Sequence, residues 1–156
     1  MVTYYLGGSK KFFFEIKKKG EIDTKKFYEA LNPWFSGHGY SFGENKITSK
    51  DILPGQEMIF DLGGLKKTDN YFKLSIGVKI FVLKLTKGAP EITTSFKGTL
   101  ETDYKKKFKG KFGNFLKNLY EEYLIKDKID KMKAKLQSDV NALMDEYKRI
   151  LNLITK

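Results

Sequence analysis

The chain has 156 residues, a formal net charge of +11 at pH 7, a mean hydropathy of −0.46 and no cysteine. That length suits one domain with a real core, and the missing thiols exclude disulfides, thiolate metal sites and cysteine nucleophiles. Arg149 is the single arginine among 30 basic residues; lysine lacks the planar fork that reads bases, so the charge points to an anionic partner, nucleic acid or a lipid surface, met without sequence specificity.

Met1 to Gly8 has neither the basic start nor the long apolar stretch of a leader. No window nears the roughly 20 apolar residues of a membrane span, and the chain reads as a soluble cytoplasmic protein. Val2 to Leu6 and the segment carrying Phe12, Phe14 and Ile16 read as two strands paired in a hairpin across Gly7-Gly8-Ser9. Asp23 is a good N-cap, and Phe27, Ala30, Leu31, Trp34 and Phe35 follow at helical spacing, so one short amphipathic helix is predicted there. Pro33 is expected to interrupt it, or Asn32-Pro33 to cap and restart a final turn, and Gly37-His38-Gly39 to end it.

Tyr40 to Thr48 reads as a strand, and Asp51 to Gly55 as a loop around Pro54. Gln56 to Leu62 alternates with Met58, Phe60 and Leu62 inward, and Gly63-Gly64 is expected to turn the chain. From Tyr71 to Leu85 the alternation is clean: Phe72, Leu74, Ile76, Val78, Ile80 and Val82 share one side, and Lys73, Ser75, Gly77 and Lys79 the other. A short connection around Gly88 leads to Glu91–Tyr104, where Ile92, Thr94, Phe96, Gly98 and Leu100 form the second arm's inner face. Such a sheet has one wet face, and its other face must be roofed.

The period then changes from 2 to 3.6. Phe112, Phe115, Leu116, Leu119, Tyr120, Tyr123 and Leu124 form one helical stripe, and Ile129, Met132, Leu136, Val140, Leu143, Tyr147, Ile150 and Ile154 a second. No glycine or proline divides the two, and both are expected to cover the sheet. A helix over 127–153 would be roughly 40 Å long, enough to run past the sheet or to pack on a second copy. The resulting expectation is a single α+β domain over 1–156, with an antiparallel sheet of five or six strands, one short helix and long C-terminal helices on one face.

Among candidate sites, Lys105, Lys106, Lys107, Lys109 and Lys111 interleave with aromatics including Phe108 at a strand-to-helix junction. That pattern suits a surface that tracks phosphates and stacks bases; the plainer reading is a solvated junction whose phenylalanines belong to the core. His38 is the sole histidine, so no histidine or cysteine pair exists for a metal site. A triad built on Ser36 or Ser41 would need Asp51, Asp61 or Asp69 to orient that imidazole, and the sequence prefers none of them. No phosphate-loop pattern occurs, and no cofactor is implied. An excess of Lys, Phe, Tyr, Ile and Asn is also what an AT-rich genome writes without selection for binding.

Taken together, Phe27-Tyr28 before Trp34-Phe35, then Gly39-Tyr40-Ser41-Phe42, Leu65–Lys73, Phe115–Ile125 and the ending Leu151-Asn152-Leu153 carry a resemblance. The chain from about Glu21 onward resembles a group of uncharacterised archaeal proteins. The resemblance implies an archaeal cytosolic protein of one α+β domain and brings no activity or site residues. In topology the chain also resembles helix-grip folds, in which a curved sheet wraps the last helix. The functional expectation is a non-catalytic basic module with weak, sequence-indifferent affinity for RNA or DNA. The alternatives are a carrier of a small apolar ligand, lined by Phe72, Ile76, Ile80, Phe96 and Leu100, or a homo-oligomer built on the C-terminal helix.

Overall fold

Period-2 alternation in the sequence becomes one antiparallel sheet in the computed structural model, which describes residues 2–5, 14–20, 24–52, 55–68, 71–85, 88–103 and 110–154. The elements in chain order are β1 (Val2–Tyr5), β2 (Phe14–Lys19), α1 (Thr24–Gly37), β3 (Ser41–Ile52), β4 (Gly55–Lys67), β5 (Phe72–Leu85), β6 (Glu91–Thr102), α2 (Gly110–Leu119), a π-helical turn (Tyr120–Leu124) and α3 (Lys126–Ile154). The strands lie in the order β1-β6-β5-β4-β3, with β2 also on β6. The α+β expectation, an antiparallel sheet with a long C-terminal helix, holds.

The N-terminal hairpin does not. β1 and β2 instead share one edge of β6, with Tyr5 opposite Thr99 and Phe14 opposite Phe96, both antiparallel to it. A long β6 offers a full row of unpaired backbone groups, and two short segments laid end to end satisfy them. Two further turns expected at glycine or proline are strand or tighter loop. Asp51 and Ile52 pair with Gln56 and Gly55, so the loop is narrower than read, and β4 passes straight through Gly63-Gly64. At Gly64 the glycine serves space, because an added Cβ would stand 2.4 Å from the Phe35 ring.

α1 runs on through Pro33 to Gly37, because the proline forfeits one backbone bond while Leu31 and Phe35 on either side are buried. The helix ends in a Schellman arrangement: Tyr40 N–H donates to the Phe35 carbonyl (2.9 Å), Gly39 N–H to that of Ser36 (3.2 Å), and Gly39 has φ 83°. The rings of Phe35 and Tyr40 then pack edge to face.

The core lies between the sheet and α3. All six apolar residues of β5's inner face are buried, as are Ile92, Phe96 and Leu100 of β6. Ile129, Leu136, Val140, Leu143, Tyr147 and Ile150 meet them along the whole of α3. At 29 residues α3 is about 43 Å long, and the 14-residue β5 spans about 46 Å. Helix and strand are of similar length, and the apolar side of α3 is buried from Ile129 to Leu151. From Ile129 to Ile150 the stripe on which an oligomer was expected is buried or half-buried within the chain.

Candidate functional site

The stripe on α2 faces the other way. Phe112, Phe115, Leu116, Leu119, Tyr123 and Leu124 are 39–75% exposed, while Gly113, Lys117 and Glu121 are buried. The expectation that both stripes roof the sheet fails here, and so does the plainer reading of Phe112 and Phe115 as core. Two features of the chain cause the reversal.

The first is the π turn. Ile125 N–H donates to the Tyr120 carbonyl five residues back (3.1 Å), and Ile129 N–H donates to the Ile125 carbonyl (2.9 Å) as α3 begins. One extra residue in a helical turn rotates everything after it by about 100°. Together with the break at Ile125, whose φ is −123° and ψ 14°, this lets α3's stripe meet the sheet while α2's points away.

The second is a buried polar cluster that pins α2 by its hydrophilic side. Lys117 is 2% exposed and Glu121 7%, and they form an i,i+4 ion pair. Lys117 Nζ also donates to Thr102 Oγ1 (3.0 Å) at the end of β6. Tyr71 donates to Glu121 Oε1 (2.7 Å), and Tyr4 of β1 to Oε2 (3.3 Å). Burial alone raises the Glu121 pKa, but hydrogen bonds from Lys117, Thr102 and Tyr71 outweigh it and hold the carboxyl below its ordinary value. Burial, then Glu121 itself, pushes the Tyr71 and Tyr4 hydroxyls up, so both stay protonated donors. A buried pair is costly to desolvate unless its remaining hydrogen bonds are made, and here they are.

The exposed side is a site with a shape. Leu116, Leu119, Tyr120, Tyr123 and Leu124 line an apolar groove of about 380 Å³. Taking an aromatic ring at about 200 Å² and a leucine somewhat less, the face presents on the order of 600 Å² of mostly apolar surface, at the upper limit of what a monomer normally shows. Lys111 stands exposed in the first turn of α2, and Lys126 and Lys128 beyond the π turn. Next to the groove lies a polar hollow of about 510 Å³ bordered by Tyr4, Glu122, Lys126, Asp130 and Lys133.

Of the six residues expected to bind nucleic acid, Lys111 is the one the structure describes; Lys105, Lys106, Lys107, Phe108 and Lys109 lie outside the described residues. Lys17 and Lys19 do not join this end. They sit opposite Thr93 and Glu91, nine and eleven positions along β6 from Thr102, about 30 and 36 Å at the rise of a strand.

His38 is exposed, stacked on Trp34 (4.0 Å between ring centroids), and its Nδ1 hydrogen-bonds the Trp34 carbonyl (2.8 Å). That bond occupies the position an orienting carboxylate takes in a triad. Among the described residues no group of three or more His, Asp or Glu side chains is arranged to hold a metal, and no helix is long and apolar enough to cross a membrane. Beside the residues expected to line an apolar-ligand pocket, Tyr147 is buried, edge-on to Phe96 (5.6 Å) and hydrogen-bonded to Thr94. On the outer face, Gly43, Gly63 and Gly77 align across three strands, with Lys97 next in the row. They form the floor of a shallow trough of about 520 Å³.

No family model matches the chain, and no curated protein matches it. The exposed helix face is therefore read on its own geometry. An apolar stripe was legible in the sequence, but its direction was not. The available signal was Lys117 and Glu121, charged residues one turn apart and opposite the stripe, which on an ordinary amphipathic helix would have been the wet side.

Proposed function

We propose that this chain is a non-catalytic interaction module whose working surface is the solvent-facing side of α2 and the π turn. One observation carries the reading: six large apolar residues stand exposed on one helix face while an ion pair is buried beneath them. A helix free to roll would hide its leucines and wet its charges. Holding it the other way round costs stability and makes sense for a surface that a partner covers.

The reading is tested with an apolar reporter dye whose fluorescence rises on solvent-facing hydrophobic surface. The folded chain should raise the signal, and Phe115→Glu and Leu119→Glu should each remove most of it at unchanged melting temperature. A signal no higher than that of an ordinary globular protein, or one indifferent to both substitutions, ends the proposal.

Weak, sequence-indifferent nucleic-acid binding is the second reading, favoured by Lys111 standing exposed beside the rings of Phe112 and Phe115. Filter binding of polynucleotide at low salt checks it, and no retention rules it out.

A further inference from the structure

We infer that the outward face of α2 and the π turn is a peripheral docking site for an anionic lipid surface; this rests on the interaction-face reading and names its partner. Three observations converge. The face is a Phe/Leu/Tyr stripe on a short helix lying on the body by its polar side, so its apolar side chains project away from the protein. Interfacial helices enter the headgroup boundary to a depth of about 5–10 Å in this attitude. Five lysines, Lys105, Lys106, Lys107, Lys109 and Lys111, fall within the seven positions up to and including the second residue of that helix. A basic cluster adjoining an amphipathic helix is the sequence pattern by which anionic headgroups are met. Finally, the cluster is lysine without arginine. A flexible ammonium reaching a diffuse negative surface needs no bidentate geometry, and its methylene stem can lie along acyl chains.

The same features argue against the other occupants. A second copy would bring like net charge against like in a chain of net charge +11. A face of about 600 Å² also falls short of the roughly 800 Å² that each partner of a standard interface buries. A polynucleotide would use Phe112, Phe115 and Tyr123 as stacking platforms, but it has no use for Leu116, Leu119 and Leu124, which make up the other half of the face. Lipid is the partner for which both the leucines and the lysines are complementary.

The test is co-sedimentation of the full chain with vesicles of phosphatidylcholine alone and of phosphatidylcholine containing roughly a third phosphatidylglycerol. The chain should pellet with the second and not the first. Leu119→Ser and Phe115→Ser should each weaken binding by about tenfold or more, and raising salt to about 0.5 M should weaken it further. Circular dichroism confirms that each variant is folded. Because a basic protein can adsorb by charge alone, Phe112→Trp supplies a second readout: its emission should shift to the blue with anionic vesicles, as a ring entering the interface requires. Pelleting without that shift overturns the inference. So does failure to pellet while the reporter dye still finds the apolar face, which leaves the interaction-face reading standing. A dimeric mass that Leu119→Ser returns to monomer, or polynucleotide retention without vesicle binding, also overturns it and assigns the face to that other occupant.

Discussion

Lys117 and Glu121 set the character of this molecule more than any catalytic-looking residue does. Their ion pair is closed off by Thr102, Tyr71 and Tyr4, so removing one partner strands a buried charge. Lys117→Met should lower unfolding free energy by about 3–5 kcal/mol, measured by denaturant titration, whereas Lys117→Met combined with Glu121→Leu should recover much of the loss. The pair also sets a pH dependence. Because the folded Glu121 pKa is lowered, its contribution to stability is full above the ordinary glutamate value of about 4.3 and disappears as pH falls through the folded value. Melting temperature followed downward from pH 6 should therefore fall more steeply for the wild type than for Glu121→Gln; parallel curves would contradict the linkage. Glycines at the same scale split by space: Gly64→Ala would drive a methyl into the Phe35 ring and should destabilise by about 1–3 kcal/mol. Gly43→Ala meets nothing within 4 Å and should be close to neutral.

Two helices with similar apolar stripes should respond in opposite ways to the same kind of substitution. In α3, Leu143 is fully buried against the sheet, and Leu143→Ala should cost about 2–5 kcal/mol. In α2, Leu119 is 39% exposed, and Leu119→Ser should leave stability within about 0.5 kcal/mol. Equal losses at the two sites would mean that α2 is packed face down in solution. The π turn is what separates these behaviours. It lies between two stretches of unbroken helical periodicity, and the residue it takes up leaves no trace in the pattern of apolar spacing. Strand elements were read more securely. β5 and β6 have buried inner faces at the alternate positions their sequences marked, because a period of 2 admits only two faces and water selects between them. Their connections were harder: glycine marks either a turn or a close approach, and Gly64 is the second kind.

For the whole molecule, α3 is buried on one side from Ile129 to Leu151 and tied to the α1–β3 corner, where Tyr40 donates to Asp139 (2.8 Å). Amide exchange should accordingly be slowest in β5, β6 and the middle of α3 and faster in α2, whose contacts with the body run through few side chains; slow exchange throughout α2 would count against that ranking. The sequence by itself determined the α+β class, the inner faces of β5 and β6 and the apolar stripe of α3, because each follows from a local period repeated over many residues. It also marked the lysine run and the stripe from Phe112 to Leu124 as unusual. Only the tertiary structure decided that β1 and β2 share β6's edge, that Tyr147 packs on Phe96 and bonds to Thr94, and that the α2 stripe looks outward. Those outcomes depend on partners distant in the chain: Thr99 and Phe96 for the paired edge, Phe96 and Thr94 for Tyr147, Thr102, Tyr71 and Tyr4 for the buried pair. A periodicity records which residues share a face, and long-range contacts alone fix which way that face is turned.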